Sequence, residues 1–354
     1  MLLFLFGKEN KKADIKPVSF WEDLFLKDWD KDSGIAKQQS LSNDSWKYYF
    51  LAYSIDANTT MFQATGNKKY LDRALEYIEN MISSAQRSRT LQNSQYKDDY
   101  LGWSNHSHPE LGNDGKEYPL YESFCWRYVT TLLRILHQSP SILSIPKYNV
   151  SYQRIFDFTE KNIYNKWVNR GLPNLYRINA HMMSHWVRIS ADMYIITGQN
   201  KYKKIVDDFI TMFKRQEEIK LDKYHKKSLQ WKAEWDRSKP NYQDVSHGNA
   251  VVGTIILLYE NKLGFSYNDI EMLIETFDKL IWTGKDVYAN EFDGSGEGNG
   301  WFSDGLIQLG RYDTNLQKRI EEHPVTFGQG TQLYGNGALN AVILLNKKSV
   351  YPKR

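Results

Sequence analysis

The sequence has little of several features that define special classes of protein. Cys125 is the single cysteine among 354 residues, which excludes an internal disulfide framework and a cysteine-rich zinc or iron–sulfur site. No stretch approaches the roughly 18 uninterrupted apolar residues of a membrane span, so we expect no insertion into a membrane. Neither sign of charge dominates, because 46 Lys and Arg residues balance 42 Asp and Glu residues. That balance argues against bulk disorder. The basic residues between Lys223 and Lys239 are interleaved with acids, so nucleic acid is not an expected partner.

Aromatic residues are what the chain has in excess. Its 24 Tyr, 16 Phe and 11 Trp make up 14% of the residues. Many rings suit carbohydrate-binding surfaces and large cores equally well. The apolar run Leu2 to Phe6 is shorter than the roughly 7–15 residues of a secretory core segment, so we interpret it as a remnant of a signal or a flexible start. The first 40 residues are predicted to form an N-terminal extension.

The periodicity of apolar residues predicts helices almost throughout. Apolar residues recur at three- and four-residue spacing, and Gly, Pro, Asn or Asp separates the stretches. The predicted helices cover residues 45–65, 69–86, 120–138, 151–166, 178–197, 202–220, 245–263, 267–282, 300–310 and 331–347. The predicted fold class is therefore all-α.

A weak internal repeat arranges these helices into hairpins. Ala64 to Tyr70 (ATGNKKY) is echoed by Ile196 to Tyr202 (ITGQNKY), and an amphipathic helix follows each. Glycine after threonine suits a left-handed helix end, so both segments predict a turn between two helices. About six such hairpins would close an (α/α) toroid, predicted as a single domain over residues 41–354. The first helix of each pair would face the axis of the ring.

The predicted inner helix over residues 178–197 combines polar residues with an apolar background. Asn179, His181 and His185 lie within two turns, and the two histidines share a face. Three interpretations remain open: a metal pair, a general base beside a donating Asn179, and buried structural histidines. No metal or other cofactor is predicted for the protein as a whole.

A second polar group begins the predicted helix over residues 245–263. Asp244 is a candidate N-cap, and His247 and Asn249 follow within the first turn. A helix N-terminus also favours a bound anion. The alternative is that Asp244 or Ser246 caps the helix and His247 bonds to a neighbouring loop.

The densest polar and aromatic stretch lies between residues 103 and 128. Tyr121 is a candidate general acid, and Arg127 could bind a carboxylate with both of its terminal nitrogens. The alternative places Trp126 in the core and pairs Arg127 with Glu122. Further candidates for substrate contact are Asn105, His106, Glu122, Trp126, His185, Asn249 and Trp301. The Gly- and acid-rich segment 291–300 lacks an EF-hand pattern and is predicted to be a substrate-side loop or a calcium-binding loop.

Three short segments carry a family resemblance. Asp56 to Thr59 with Ala64 to Gly66, Lys116 to Glu122, and Asp244 to Asn249 together resemble helical-toroid polysaccharide lyases that act on uronate polymers such as alginate and glucuronan. The resemblance implies β-elimination at a 4-linked uronate, which needs a carboxylate stabiliser, a base and an acid. On that basis Asn179, Asn105 and Arg127 are candidate stabilisers, His181, His106 and His247 candidate bases, and Tyr121 the candidate acid.

Two rival functions stay open. A toroid glycoside hydrolase needs two carboxylates in its cleft, and the candidates are Asp56, Glu122, Asp192, Asp244 and Asp304. A non-catalytic glycan-binding protein would explain the aromatic residues. The sequence-based prediction is a monomeric, periplasmic or secreted lyase that acts on an acidic polysaccharide.

Overall fold

The structure is a computed structural model, and it describes residues 14–106, 114–222, 224–236, 241–302, 304–324 and 330–345. The predicted apolar run near the N-terminus lies outside these residues. The α-helices in the described ranges are α1 (Val18–Ser40), α2 (Ser45–Thr65), α3 (Lys68–Ser84), α4 (Pro119–His137), α5 (Pro140–Leu143), α6 (Pro146–Phe158), α7 (Lys166–Asn169), α8 (Ala180–Thr197), α9 (Asn200–Gln216), α10 (Val245–Glu260), α11 (Tyr267–Glu275), α12 (Asp304–Gln308), α13 (Thr314–Glu321) and α14 (Gly330–Leu345). The all-α prediction is confirmed.

The other regular elements in these ranges are short. π-Helical segments extend α6 over Thr159–Asn165 and α11 over Thr276–Ile281, and 3₁₀ turns occur at Ser88–Thr90, Leu172–Asn174 and Leu309–Arg311. Three antiparallel ladders join β1 (Gln86–Arg87) to β2 (Leu101–Gly102), β3 (Glu218–Leu221) to β4 (Lys227–Gln230), and β5 (Trp282–Gly284) to β6 (Val287–Tyr288). In the longest ladder Glu218 pairs with Gln230 and Leu221 with Lys227. These ladders lie in the connections between helices.

Six helices form a closed inner ring. In ring order they are α2, α4, α8, α10, α12 and α14; each packs against the next, and α14 packs against α2 to close the circle. Outer helices cover them: α3 packs on α2, α6 on α4, α9 on α8, α11 on α10, and α13 and α1 on α14. The chain is therefore an (α/α) toroid with six inner helices, as the hairpin repeat predicts.

The predicted hairpin turns form as expected. Helix α2 ends at Gly66 with φ of 70°, and α8 ends at Gly198 with φ of 69°. A side chain is strained in this left-handed conformation, whereas glycine adopts it freely. Each glycine lets the chain reverse directly into the outer helix. The repeat therefore marks two equivalent inner–outer junctions of the ring.

Outer helix α9 shows why the surface helices were simple to predict. Tyr202, Phe209 and Phe213 are fully buried on one face, while Lys203 and Asp207 form an exposed ion pair one turn apart on the other. The predicted helix over residues 202–220 is too long, because Glu217 turns to extended backbone and the chain enters β3.

Helix α1 was not predicted from the sequence. It buries Trp21 and Phe25 in the core and packs against α14, where Gly337 leaves room for the Trp21 ring: a Cβ atom there would meet the ring at 2.6 Å. Its polar composition hides the helical pattern, because its buried face is defined by contacts with α14, α2 and α3. The division into an extension over residues 1–40 and a domain over residues 41–354 stays a prediction, and α1 lies on the ring.

Among the described residues, no helix combines the length and the apolar composition needed to cross a membrane.

Candidate functional site

A cavity of about 300 Å³ opens where four of the inner helices begin. The first three turns of α2, α4, α8 and α10 supply most of its wall, and the loop before α12 supplies the rest. We call this cavity the cleft. Its lining residues are Trp46, Tyr49, Phe50, Tyr53, Phe124, Arg127, His181, His185, Ser246, His247, Asn249, Ala250, Asn299 and Trp301. The ring thus collects residues that are up to 255 positions apart in the chain into one site.

One wall of the cleft is aromatic. Trp46, Tyr49, Phe50 and Tyr53 follow the i, i+3, i+4, i+7 pattern of one helical face on α2, and all four line the cleft. Tyr49 stacks on Phe124 of α4, with ring centroids 3.6 Å apart. The sequence analysis missed this wall, although the spacing of the four rings was a readable signal. Flat apolar rings of this kind bind the apolar faces of sugars.

Arg127 forms the floor of the cleft. Its guanidinium lies 4.4 Å from the centroid of the Phe124 ring and 4.5 Å from that of Tyr128, so it contacts two aromatic rings that stand nearly perpendicular to each other. Its Nη2 donates to the Tyr128 hydroxyl at 2.6 Å, and Nη1 lies 3.3 Å from His185 Nδ1. Arg127 lines the cleft, and Glu122, its partner in the structural alternative, is bound to Lys166 instead.

The two histidines of α8 stay neutral in the folded protein. Burial is the main cause that lowers the pKa of His181 to about 3, and the neighbouring His247 and Arg127 add to it. Burial and the Arg127 charge also place the pKa of His185 well below its usual value. Both residues line the cleft, as predicted. At neutral pH they therefore act as hydrogen-bonding groups without charge.

Asp244 and His247 form a carboxylate–imidazole pair at the rim. The Asp244 side chain caps α10 by accepting the His247 backbone N–H at 3.1 Å, which confirms the predicted N-cap. The same carboxylate lies 2.9 Å from His247 Nδ1 and accepts the Ser246 hydroxyl at 2.6 Å. Burial opposes ionisation of Asp244, but these bonds outweigh it and hold its pKa well below the usual range. The bond to Asp244 raises the pKa of His247.

Glu291 lies directly opposite Asp244 across a short antiparallel bridge. The Val245 N–H donates to the Asn290 carbonyl at 2.8 Å, and the Phe292 N–H donates to the Gln243 carbonyl at 2.9 Å. This pattern makes Asp244 and Glu291 a non-hydrogen-bonded pair, whose Cα atoms lie about 4.5 Å apart and whose side chains share one face. Burial, followed by the negative charge of Asp244, raises the pKa of Glu291. The sequence analysis did not single out Glu291 as an acid.

A buried charge cluster lies beneath the cleft on the ring axis. Asp304 accepts Arg188 Nη1 at 2.5 Å and lies 4.0 Å from Arg127 Nη2. These two arginines hold the pKa of Asp304 below its usual value, although its burial acts in the opposite direction. Asp56 accepts bonds from Gln332 and Asn336, while burial and the charge of Asp304 raise its pKa to about 6.

Several predicted site residues lie away from the cleft wall. Asn179 precedes α8 and pairs through its backbone with Glu234. Asn105 is fully buried, and His106 is exposed and paired with Asp114 at 3.1 Å. The Ser107 and His108 that follow lie outside the described residues. Tyr121 packs edge-on against Trp46, with centroids 5.0 Å apart, behind the aromatic wall.

Glu122 and Trp126 belong to the interior. Glu122 accepts hydrogen bonds from Lys166 Nζ at 2.8 Å and Trp167 Nε1 at 2.7 Å, so both of its carboxylate oxygens have a donor. Trp126 is buried and donates to Thr159. The prediction that these two residues contact substrate is not supported by their positions, because helix α4 turns only Phe124 and Arg127 toward the cleft.

Asn249, Trp301 and Asn299 complete the cleft. The Asn249 amide group donates to the Val245 carbonyl at 2.9 Å and its oxygen accepts the Leu306 N–H at 3.2 Å, which ties α10 to α12. Asn299 and Trp301 bring the Gly- and acid-rich loop to the cleft, as predicted for a substrate-side loop. A search of the described residues finds no group of three or more His, Cys, Asp or Glu placed to hold a metal ion.

The fold and the cleft thus define an (α/α) toroid with an aromatic, cationic cleft at the mouth of its ring. A scan against family models and a search of curated proteins gave no match to this sequence. Among solved structures, the chain is similar to the GH76A α-1,6-mannanase of Salegentibacter sp. HEL1_6. An inactive variant of that enzyme in complex with α-1,6-mannotetrose matches at 12% identity and a TM-score of 0.46, over 92% of this chain and 99% of that one. A second inactive variant with α-1,6-mannotriose and the enzyme itself both match at a TM-score of 0.44.

The matched structures correct the family resemblance proposed from the sequence. They are mannanases, which hydrolyse glycosidic bonds, and not uronate lyases. The resemblance to lyases of alginate or glucuronan is therefore wrong, and so is the predicted β-elimination. The short segments misled because they mark helix ends and caps of the toroid, at Gly66 and Asp244, and the toroid is an architecture rather than an activity.

Proposed function

We propose that the chain is a glycoside hydrolase that binds a glycan in the cleft. The observation that carries the proposal is the position of Asp244 and Glu291, two carboxylates side by side at the rim of an aromatic-walled cleft. Enzymes that hydrolyse glycosides by the usual route use a pair of carboxylates as acid and base or nucleophile. The aromatic wall of the cleft orients the sugar rings relative to the two carboxylates.

The surroundings of the two carboxylates divide their roles. Asp244 is kept ionised by the bonds it accepts from His247 and Ser246, so it is the basic member of the pair. Glu291 has a raised pKa, and its Oε2 accepts no hydrogen bond from any described residue. A carboxyl group in that state is suited to give its proton to the departing glycosidic oxygen. His247 positions Asp244.

The other carboxylates considered from the sequence have other partners. Asp192 accepts Arg134 Nε at 2.6 Å, Asp304 is bound to Arg188, and Glu122 is bound to Lys166. Asp56 lies deeper on the axis, where Gln332 and Asn336 bind it. Asp244 instead pairs with Ser246 and His247, two residues of the cleft wall at the rim.

Hydrolysis is tested by reducing-end release from a panel of polysaccharides. The panel contains α-1,6-mannan, which the similar mannanases act on, together with polyglucuronate, alginate and a sulfated galactan. We expect Asp244→Asn and Glu291→Gln each to lower kcat by about 10²–10⁴-fold on the substrate that is cleaved. Asp192→Asn is the matched control outside the cleft. Full activity in both rim variants would disprove the assignment.

Glycan binding without catalysis is the second candidate. It is favoured by one observation: none of the described residues that line the cleft is Asp or Glu, since Asp244 and Glu291 stand at the rim, outside the lining. Binding by calorimetry without release of reducing ends from any polysaccharide would support this function.

Three finer properties belong to the same proposal. We propose that the bound glycan is acidic, because Arg127 is the floor of the cleft. A monomer and a periplasmic or secreted location are proposed from the expected role in polymer degradation.

A further inference from the structure

Arg127 is prepared to bind an anion from the cleft. Its guanidinium packs against the rings of Phe124 and Tyr128, at 4.4 and 4.5 Å from their centroids. The Tyr128 hydroxyl accepts a hydrogen bond from Arg127 Nη2 at 2.6 Å, which fixes the rotation of the guanidinium group. Only 2% of Arg127 is exposed, and it is part of the cleft wall. A rigid, partly desolvated guanidinium loses little entropy when it binds an oxyanion.

The positive charge of Arg127 is only partly compensated by its neighbours. The acid beside it, Asp304, is 4.0 Å away and is bound directly to Arg188 at 2.5 Å, so one carboxylate serves two arginines. Asp56, the next acid on the axis, is bound by the amides of Gln332 and Asn336. Arg127 Nε has no hydrogen-bond partner among the described residues.

The rest of the cleft does not supply a negative charge either. Asp244 lies at the rim, and its charge is taken up by His247 at 2.9 Å. His181 and His185, which flank the floor, are neutral and offer ring nitrogens as hydrogen-bonding groups. The floor therefore combines one fixed cation with neutral polar groups, an arrangement that suits an anionic substituent on a sugar.

We infer that Arg127 determines specificity by binding an oxyanion group, a carboxylate or a sulfate ester, on the sugar that occupies the cleft. This inference rests on the proposed function only for the presence of a glycan. The cleft volume of about 300 Å³ is at the lower end of small-molecule sites, so the charged sugar fills it at the floor while its neighbours contact the aromatic wall. Tyr128 is the positioning residue of Arg127.

The test compares matched glycans that differ in charge alone. Oligoglucuronate and the same oligomer with its carboxyl groups reduced to hydroxymethyl groups are titrated into the protein by calorimetry, with a sulfated and a desulfated galactan oligomer as a second pair. We expect at least one charged member to bind about 10- to 100-fold more tightly than its neutral partner. Arg127→Gln should remove that difference, so that the charged oligomer binds no more tightly than its neutral partner. Which pair shows the preference distinguishes carboxylate from sulfate.

Two further variants separate specificity from folding. Arg127→Lys keeps the charge without the planar fork, so it should retain part of the preference. Arg134 lies two turns further along α4 and is bound to Asp192. The Arg134→Gln variant should therefore retain the full preference for the charged oligomer. Equal binding of charged and neutral oligomers by the unaltered protein, or a preference that survives in Arg127→Gln, would overturn the inference. If the protein binds the charged oligomer preferentially but cleaves neither oligomer, only the proposed hydrolysis is contradicted. If it cleaves neutral oligomers alone, only the preference for an anionic sugar is contradicted.

Discussion

Two groups of charged residues near the start of the inner helices show that neighbouring residues determine whether a carboxylate is available to a substrate. Around Lys166, the side chains of Glu117, Glu122 and Arg170 are 0–3% exposed and bind one another. In the cleft, Asp244 and His247 form a pair whose side chains are 31% and 49% exposed. The first group is shielded from solvent and satisfied from within. The second is open on one side and can bind something else.

The two groups differ in how fully other residues of the protein occupy their carboxylates. The Lys166 group joins Glu117 and the segment from Ser88 to Asp98 to α4 and α7: Ser88 and Ser94 donate to Glu117 at 3.0 and 2.7 Å, and Arg170 binds Asp98 at 2.9 Å. Each carboxylate has several donors, so none is available to a substrate. Glu122 was predicted to contact substrate because of its residue type and position, and the partners that exclude this come from distant parts of the chain.

The largest expected effect concerns stability and lies in the Lys166 group. Replacing Lys166 by Met removes the cation between Glu122 and Glu117 and leaves buried negative charge without a partner. We expect the free energy of unfolding to fall by about 3–5 kcal/mol, measured by urea denaturation. The affinity of the molecules that remain folded for a glycan should not change. A large loss of affinity at unchanged stability would remove the distinction between the two groups.

The matched control for this change is Lys203→Met. Lys203 pairs with Asp207 on the exposed face of α9, where water screens the interaction. Little change in stability is expected there, which separates the effect of burial from the effect of losing a lysine.

A smaller effect is expected from pH, and it lies in the cleft. The folded pKa of His181 is lowered to about 3, so the unfolded chain binds the proton more readily and stability falls as pH decreases from about 6.5. The slope approaches about 1.4 kcal/mol per pH unit for each histidine of this kind. His247 has a raised pKa, so its contribution is present below about 6.5 and is lost at higher pH.

His181→Gln tests the sign of that pH dependence. Denaturation curves between pH 7 and pH 4.5 should show a clearly shallower loss of stability in this variant than in the unaltered protein. An equal slope in both proteins would mean that His181 is not held neutral by burial. Above about pH 5 the depressed pKa of Asp244 makes almost no contribution to the slope, because the carboxyl is ionised in both states there, and below that pH it lowers the stability of both proteins alike.

The smallest effect is expected at the aromatic wall. Trp46→Ala removes one ring of the wall on α2, and we expect glycan affinity to fall by about 3- to 10-fold, as measured by calorimetry. His106→Ala is the control, because His106 is exposed and bound to Asp114 outside the cleft. If affinity fell equally in both variants, the glycan-binding site would also include the loop that carries His106, and the cleft would be only part of the site.

Parts of the fold were predictable because they depend on local chemistry. The helix ends at Gly66 and Gly198 need a left-handed backbone, and the cap at Asp244 needs a side-chain acceptor, so the sequence marks them directly. Helix α9 was predictable for the same reason, since its apolar and charged residues alternate with the helical period. Helix α1 was not, because its buried face is defined by tertiary contacts, with α2 and α3 and with α14 at the far end of the chain.

The site was predictable only in part. His181, His185, His247, Arg127, Asn249 and Trp301 were singled out from the sequence and line the cleft together. Asn179, Tyr121, Asn105, His106, Glu122 and Trp126 were singled out on the same grounds and do not. Glu291 was treated only as part of a loop, because its relation to Asp244 depends on a two-residue bridge between distant segments.

The sequence by itself determined an all-α chain of helical hairpins with aromatic and polar residues on its inner helices, because helical periodicity, glycine ends and caps act over a few residues. The tertiary structure decided which polar residues are paired and which face the cleft. Lys166 neutralises Glu122 and Arg188 neutralises Asp304, Arg127 is left turned toward the cavity, and Asp244 meets Glu291. These pairings depend on the closure of the ring, which brings together residues that no local pattern connects.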